Sequence, residues 1–505
     1  MSGSHIEVES KYNASPSFRL PPLDRVLGVS RVVPPEVVSL HATYFDTADL
    51  RLACQGVTLR RRTGGADEGW HLKLPLAEGG RREVHRPLGR SRRTEPAPPI
   101  ALLRLARSYS RAGEVAPVAR LLTERTQYQL LGADDVVLAE VADDQVTGQA
   151  LGGGLTVTTW REIEVELALG DRALLAAVGR RLLAAGAQPA TASSKLVRTL
   201  GGLAPAAVDL PAGSAGAALL DYLREQVAGL LAADVAVRLD QPDSTHSMRV
   251  ATRRMRSILA TYRPLLDRTA TEPIRAELQW LGGVLGDARD AEVIREGLLR
   301  ALGDLPGELV LGPVRTRLDR ELRTAMRLAR QRMLAELDGD RYLRLLEALN
   351  GMVTAPALAA AADRPAAAVL PERVAREWRR LRGFHRQAAE APTPTARDQT
   401  LHELRKAAKR ARYAAELAVP VLGDPAGGFA KNMKRLQTAL GTHQDTVVAR
   451  HVLRAAGARA YLAGENGFTF GLLHGLEQQR ADRAERQFLD AWAQAARKRH
   501  RRWLR

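Results

Sequence analysis

Over the first two hundred residues apolar and polar positions alternate with a period of two, and from about residue 217 they recur every three to four. The opening stretch, His5-Ile6-Glu7-Val8-Glu9-Ser10-Lys11, sets the first pattern. As a strand it turns Glu7, Glu9 and Lys11 to one face and Ile6 and Val8 to the other. The same alternation predicts strands at 41–47, 57–62, 70–75, 82–86, 123–131, 136–142 and 156–167. Helical periodicity marks 100–110 and 174–185, a proline-punctuated stretch from Ser17 to Val38 is helix-capable, and Lys195–Leu200 closes the region. About eight strands with few helices predict an antiparallel eight-stranded β-barrel. The chain as a whole then reads as an α+β multidomain protein: the barrel with flanking helices, followed by an all-α domain.

The strand faces carry unusual charge. Glu162, Glu164 and Glu166 share a face opposite Ile163, Val165 and Leu167; Arg60 shares a face with Arg62, and Arg125 with Gln127. Burying such faces in a sandwich would cost several kcal/mol per unpaired ion. A polar-lined tunnel, with the apolar faces turned outward under helices, lets the charges pair with one another, with metal and with substrate. Glu7 and Glu9 lie about 7 Å apart along a strand, a spacing at which carboxylates share hard divalent cations. Acid from both ends of the segment and base from its middle is the composition of a metal–phosphate site.

Composition sharpens this. Net charge is +18 over 505 residues, and it is uneven: 1–203 hold 26 basic and 22 acidic residues, 204–505 hold 49 and 35. The second part reads as the site for a polyanion. Only eight of the 75 basic residues are Lys, which in so Ala-, Leu- and Gly-rich a chain partly reflects coding bias, so the arginines cannot all count as phosphate recognition. The single cysteine, Cys54, excludes a disulfide framework and a cysteine metal site. No leader pattern and no uncharged apolar run of spanning length occurs, so a cytoplasmic protein without a membrane partner is expected.

In order along the chain stand Glu7-x-Glu9-x-Lys11, Tyr44-Phe45-Asp46, Leu59-Arg60-Arg61-Arg62, His71-Leu72-Lys73, Arg125, Val141-Ala142-Asp143-Asp144-Gln145-Val146, Glu162-Ile163-Glu164 and Ser194-Lys195. This set resembles the CYTH family of triphosphate tunnel enzymes. The resemblance implies hydrolysis of a linear triphosphate with Mg²⁺ or Mn²⁺. It implies phosphate binding by Lys11, Arg60, Arg62, Lys73, Arg125 and Lys195. It also implies metal binding by Glu7, Glu9, Glu162 and Glu164, and catalysis centred on Glu7, Glu9, Lys11 and Glu164. Asp143 is entered as a fifth ligand, although alternation puts Asp143 and Asp144 on opposite faces and leaves both open; Glu140 is a further candidate.

Residues 204–216, rich in Ala, Pro and Gly, read as a linker between a tunnel domain at 1–203 and a helical domain at 217–505. The helical part is duplicated, at about 217–350 and 370–505. His246-Ser-Met-Arg249-Val-Ala-Thr-Arg253-Arg254-Met-Arg256 aligns with His402-Glu-Leu-Arg405-Lys-Ala-Ala-Lys409-Arg410-Ala-Arg412, and Asp290 aligns with Asp445. At 100° per residue the members at +3, +7 and +10 fall within about 80° of each histidine. His246, Arg249, Arg253 and Arg256 thus form one stripe and His402, Arg405, Lys409 and Arg412 its copy, with Arg254 and Arg410 flanking. Like charges at these spacings repel by a few tenths of a kcal/mol per pair. Acidic partners are scarce at the same spacings, and an external polyanion would relieve the repulsion. Asp290 and Asp445 read as structural, holding arginines or helix ends. The pattern is similar to the CHAD family, a duplicated helical domain whose members bind inorganic polyphosphate.

The combined expectation is hydrolysis of inorganic tripolyphosphate, with the helical domain binding long-chain polyphosphate and either raising its concentration near the tunnel or placing the protein on polyphosphate granules. The rivals are a nucleoside or thiamine triphosphate as substrate, or a non-catalytic polyphosphate-binding module. Nucleic acid is disfavoured as a partner, because the basic helices lack interleaved aromatics for stacking.

Overall fold

A computed structural model of the chain describes residues 4–76, 80–89, 96–152, 156–203 and 208–504. Two compact units divide it, residues 1–207 and 208–505. Of the segment expected to link them, residues 204–207 lie outside the described residues. Among those described, no helix is long and apolar enough to cross a membrane.

The first unit is one antiparallel sheet. Its strands are β1 (Ser4–Glu7), β2 (Glu9–Ala14), β3 (Arg31–Val32), β4 (Glu36–Asp46), β5 (Thr58–Thr63), β6 (Gly69–Pro75), β7 (Arg81–Arg86), β8 (Ala116–Leu131), β9 (Val137–Ala150), β10 (Thr156–Leu167) and β11 (Gln188–Pro189). The order is β1-β7-β6-β5-β4-β8-β9-β10-β2-β11, with β3 on β8. β1 and β2 are one extended run interrupted at Val8: β1 pairs with β7 and β2 with β10. The two ends of the ladder path therefore meet through the covalent chain, and the sheet curls on itself. Counting that run once, the long strands number the expected eight; the two-residue β3 and β11 are additions.

Helices α1 (Arg51–Cys54), α2 (Ile100–Ser110), α3 (Arg172–Ala184) and α4 (Lys195–Thr199) complete the unit. α3 packs Leu174, Leu175, Val178 and Leu182 on the outward side chains Tyr12, Val141, Ile163 and Val165. Gly179 is required there, since a Cβ would come within 2.2 Å of the Tyr12 hydroxyl oxygen. The outward apolar face is covered along β2 but not along β1, where Ile6 is 59% exposed. Ser17–Val38 is not helical. Pro16, Pro21, Pro22, Pro34 and Pro35 remove donors and hold their predecessors extended. The segment instead wraps the outside and buries Phe18, Leu23, Val26 and Val29 beside α3.

Inside the barrel one end is apolar: Ala42, Tyr44, Ala119, Leu121, Val146 and Trp160 surround Leu196 of α4. α4 starts at an N-cap where the Ser194 hydroxyl accepts from Val197 N–H at 3.2 Å. It lies close on β9 because residue 148 is glycine; a Cβ there would stand 2.4 Å from Thr199 Oγ1. The plug sets the first residue of α4, Lys195, at the floor of the charged interior.

The second unit is helical: α5 (Ala215–Arg238), α6 (Ser244–Thr261), α7 (Arg268–Gly303), α8 (Val314–Asp338), α9 (Asp340–Thr354), α10 (Ala366–Ala389), α11 (Pro394–Leu422), α12 (Asp424–Leu462) and α13 (Phe468–Ala495). α5–α8 and α10–α13 repeat the same four-helix order, with α9 between. The copies meet along α6 and α11. They also share a core of Leu298, Leu302 and Leu318 against Leu453, Ala460 and Leu473. In each copy the stripe arginine lies over a glycine of the following helix: Arg249 over Gly286, and Arg405 over Gly441, where a Cβ would meet Nη2 at 3.3 Å.

Candidate active site and polyanion surface

Register decides which side chains face the interior of the first unit. The pairs Glu9↔Glu166 and Lys11↔Glu164 on β2–β10, Glu162↔Asp144 on β10–β9, and Arg125↔Asp144 on β8–β9 put these groups on one wall. Tyr44↔Arg60 and Arg60↔His71 on β4–β5–β6, with Lys73↔Glu83 on β6–β7 and Glu7↔Arg81 on β1–β7, build the opposite wall. The resulting cavity is about 550 Å³ and is lined by Glu7, Lys11, Arg60, Arg62, Lys73, Arg125, Glu164 and Lys195, among others. Glu9 borders a second opening, shared with Glu7 and Lys11, and Glu162 sits below Lys195.

Three carboxylates converge on one ammonium. Lys195 Nζ is 2.9 Å from Asp144, 2.7 Å from Glu162 and 2.8 Å from Glu164. Burial opposes its charge, yet Asp144, Glu164 and Glu162 raise its pKa. Arg125 grips Asp144 with both arms, at 2.8 and 2.7 Å, and reaches Glu164 at 3.0 Å. Lys11 contacts Glu164, and Glu9 at 3.1 Å. Glu164 is half-buried, and desolvation would raise its carboxyl, but Lys11, Lys195 and Arg125 hold it well below the usual range.

The other wall is less balanced. Glu7 receives Lys73 at 2.5 Å on one oxygen, while its buried Oε2 has no hydrogen-bond partner among the described residues. Arg60 and Arg62 likewise bury Nε donors without partners. Burial, then Arg60 and Arg125, push Arg62 down to about 9. On the β10 side, Glu166 is pushed up to about 7 by burial and by Glu7. Arg62 pairs with Asp67, yet the Nε atoms and the Glu7 oxygen left without partners among the described residues give the wall of Glu7, Arg60 and Arg62 room for an anion and a cation together.

Two corrections follow. Asp143 is not an interior ligand: it pairs with Arg161 at 2.9 and 2.7 Å on the outer face, and Asp144 takes the inner position. The helical stripes are also less free of acid than their spacing suggested. Arg249 binds Asp290 at 2.7 Å, and Glu416 serves both Arg412 at 2.6 Å and Arg254 at 3.1 Å. One interior group went unforeseen: Glu83 accepts from His71 Nδ1 at 2.5 Å. Glu140, the further candidate, lines the same interior and accepts from Gln127 and Gln129 at 2.7 and 3.1 Å. Strand parity in 81–86 carried the signal for Glu83.

Because α6 and α11 pack together, the two stripes face common space. Among the described residues Arg253 bonds only the Tyr413 hydroxyl, at 3.0 Å, and His402 bonds Gln444 at 2.8 Å. Burial, then Arg405, Arg253 and Arg249, push Lys409 down to about 6. Burial also lowers His246, Arg256, Arg405 and Arg410.

The CYTH domain model matches residues 5–199, and the CHAD domain model matches residues 221–454. The chain is a CYTH–CHAD protein. It is similar to Uncharacterized protein MT2285 of Mycobacterium tuberculosis (strain CDC 1551 / Oshkosh), 39% identical over 500 residues, 95% of this chain and 94% of that one. Uncharacterized protein Rv2226 of strain ATCC 25618 / H37Rv matches to the same extent. Among solved structures, PptA from Streptomyces chartreusis is 24% identical, spans 55% of this chain and 99% of its own, and has a TM-score of 0.48. The CHAD domain from the plant Ricinus communis is 22% identical over 58% of this chain and 97% of its own, with a TM-score of 0.42. CYTH proteins are metal-dependent tunnel enzymes, and the CYTH–CHAD interior fits a metal. The donors of its carboxylate cluster are all oxygen, as hard divalent cations require. Ligand atoms of Asp144, Glu162 and Glu164 lie within 4.8 Å of one another, and Glu7 Oε2 is an orphaned acceptor.

Lys195 thus stands where three carboxylates could hold a cation. Lys195→Met is expected to lower metal-free stability by about 3–5 kcal/mol, because three desolvated carboxylates lose their shared partner. Added Mg²⁺ should recover more stability in the variant than in the wild type. Denaturant melts in chelator and in Mg²⁺ measure both effects, and equal Mg²⁺ response in the two proteins would contradict the assignment.

Proposed function

We propose that the CYTH unit hydrolyses linear triphosphates, inorganic tripolyphosphate foremost, with Mg²⁺ or Mn²⁺, and that the CHAD unit binds inorganic polyphosphate. The observation that carries this reading is that the buried Nε atoms of Arg60 and Arg62 and the buried Oε2 of Glu7, which line one cavity, have no hydrogen-bond partner among the described residues.

Arg60, Arg62 and Arg125 would hold phosphate oxygens by charge-assisted hydrogen bonds, with Lys11, Lys73 and Lys195 as point charges. Glu7, Glu9, Glu162, Glu164 and Asp144 would hold the metal, which supplies charge neutralisation at the phosphoryl oxygens and activation of water. Phosphoryl transfer asks little covalent chemistry of the protein, so placement and electrostatics supply most of the rate. A carboxylate of the β10 set takes the proton of the attacking water. The apolar plug around Leu196 keeps one end dry, which strengthens each of these interactions.

Replacing Glu7 and Glu9 together by Ala is expected to abolish Mg²⁺-dependent phosphate release from tripolyphosphate. Arg125→Ala should slow it by about 10²–10³-fold, the scale for losing one charge-stabilising donor. A release assay over tripolyphosphate, ATP, thiamine triphosphate and long polyphosphate measures this and ranks substrates. An unchanged rate in the double variant would overturn the reading.

In the CHAD unit, Arg249→Glu, Arg253→Glu, Arg405→Glu and Lys409→Glu combined should abolish polyphosphate binding and leave tripolyphosphate hydrolysis intact. Parallel loss of both would refute this division of labour.

Lys409 adds a pH signature. Its free pKa is near 6, and a bound polyanion raises it, so the complex binds more protons than its components. Affinity should be highest below about pH 6 and fall as pH rises toward the bound-state value, with proton uptake on binding at pH 7. Calorimetry in buffers of different ionisation enthalpy detects the uptake, which Lys409→Met should reduce to the share taken by His246 and His402.

A further inference from the structure

A second basic face adjoins the α6–α11 stripes without being part of them. It is built from α10, the start of α12 and the segment after α13. α10 holds six arginines against two carboxylates, the buried Glu377 and Glu372, which pairs with Arg373 at 3.6 Å; residues 425–444 and 491–504 add eight Lys and Arg and no carboxylate. On α10, Arg376, Arg379, Arg380, Arg382 and Arg386 are all exposed, and none has a carboxylate within salt-bridge distance among the described residues. The three segments meet: Arg501 lies over the Trp378 ring at 4.9 Å, and Trp503 packs edge-on against Phe429 at 5.9 Å. Burial and then Arg382 depress Arg501, while Arg499, Arg497 and Arg435 add to the depression of His500, so the charges act on one another across the junction.

The duplication shows that this charge is not demanded by the fold. α5, the counterpart of α10, holds the same place in the first copy with two arginines, Arg224 and Arg238, and three acids, Asp221, Glu225 and Asp234. Only the second copy concentrates positive charge there, and like charges at helical spacing destabilise. The face is also continuous with the stripes. Arg410 feels both Arg380 of α10 and Arg256 of α6, so positive charge runs from α6 across α11 onto α10.

We infer that this α10 face is a second contact surface for a long inorganic phosphate chain, extending the α6–α11 site and making CHAD binding depend on chain length. The inference rests on the polyphosphate reading of the stripes. The occupant is a phosphate chain because the aromatic rings are spent on one another. Trp492 stacks on His385 at 3.9 Å and on Trp378 at 5.4 Å, which leaves little free ring surface for bases. A chain long enough to engage both surfaces gains effective concentration for the second contact.

The test measures full-length protein binding to polyphosphates of short and long chain length, at several salt concentrations. Long chains should bind roughly tenfold or more tighter per molecule than chains too short to leave the stripes. The variant Arg376→Glu, Arg379→Glu, Arg386→Glu, Arg502→Glu should lose that advantage, show a shallower salt dependence with long chains, and keep short-chain affinity. Wild-type long-chain preference surviving in the variant overturns the inference, as does wild-type affinity independent of length; either leaves the stripe reading standing. Absence of any polyphosphate binding overturns both. A variant that loses single-stranded DNA binding but keeps its long-chain preference assigns the face to nucleic acid instead. Equal loss of short- and long-chain affinity with unchanged circular dichroism also counts against it.

Discussion

Lys195 makes the interior of the first unit possible. Asp144, Glu162 and Glu164 bring three desolvated charges together, and each would cost several kcal/mol alone. One ammonium, 2.7–2.9 Å from all three, turns that repulsion into attraction. Its position in turn depends on an unrelated feature, the glycine at 148 that lets α4 lie against β9. The apolar packing of Leu196 therefore sets the electrostatics one residue away. Core and site are one structure there, and a change that loosens the plug also moves the charge.

The second unit handles charge the opposite way. Its duplicated helices bring Arg249, Arg253, Arg405 and Lys409 together with few carboxylates, and the consequence is a lysine with a depressed pKa. Gly286 and Gly441 make room for the arginines to lie flat across the next helix. The two units thus differ in balance: internal counter-ions in one, an unmatched excess of positive charge in the other.

Much of this was legible in the chain. Period-two alternation placed Glu7, Glu9, Lys11, Arg60, Arg62, Lys73, Arg125 and Glu164 on inward faces, because a strand has only two faces and one was apolar. Alternation could not choose between Asp143 and Asp144, since either phase suits a strand whose outer face also carries ion pairs. Only the pairing with Arg125 and Arg161 decides it. Ser17–Val38 misled because its hydrophobic content is real but serves an outer wrap, with prolines forbidding the helix. The stripes were visible from local spacing, whereas Glu416 also reaches Arg254 across the duplication, and long-range partners leave no periodic trace.

The break at Val8 gives the opening motif a further meaning. Glu7 and Glu9 are two residues apart, yet Glu7 belongs to the edge that pairs with β7 and Glu9 to the edge that pairs with β10. The barrel is a split ring, and the split runs between these two acids. Any ion gripped by both would act as a clasp across that split, so the mechanical closure of the ring and the occupancy of its charged centre are the same event.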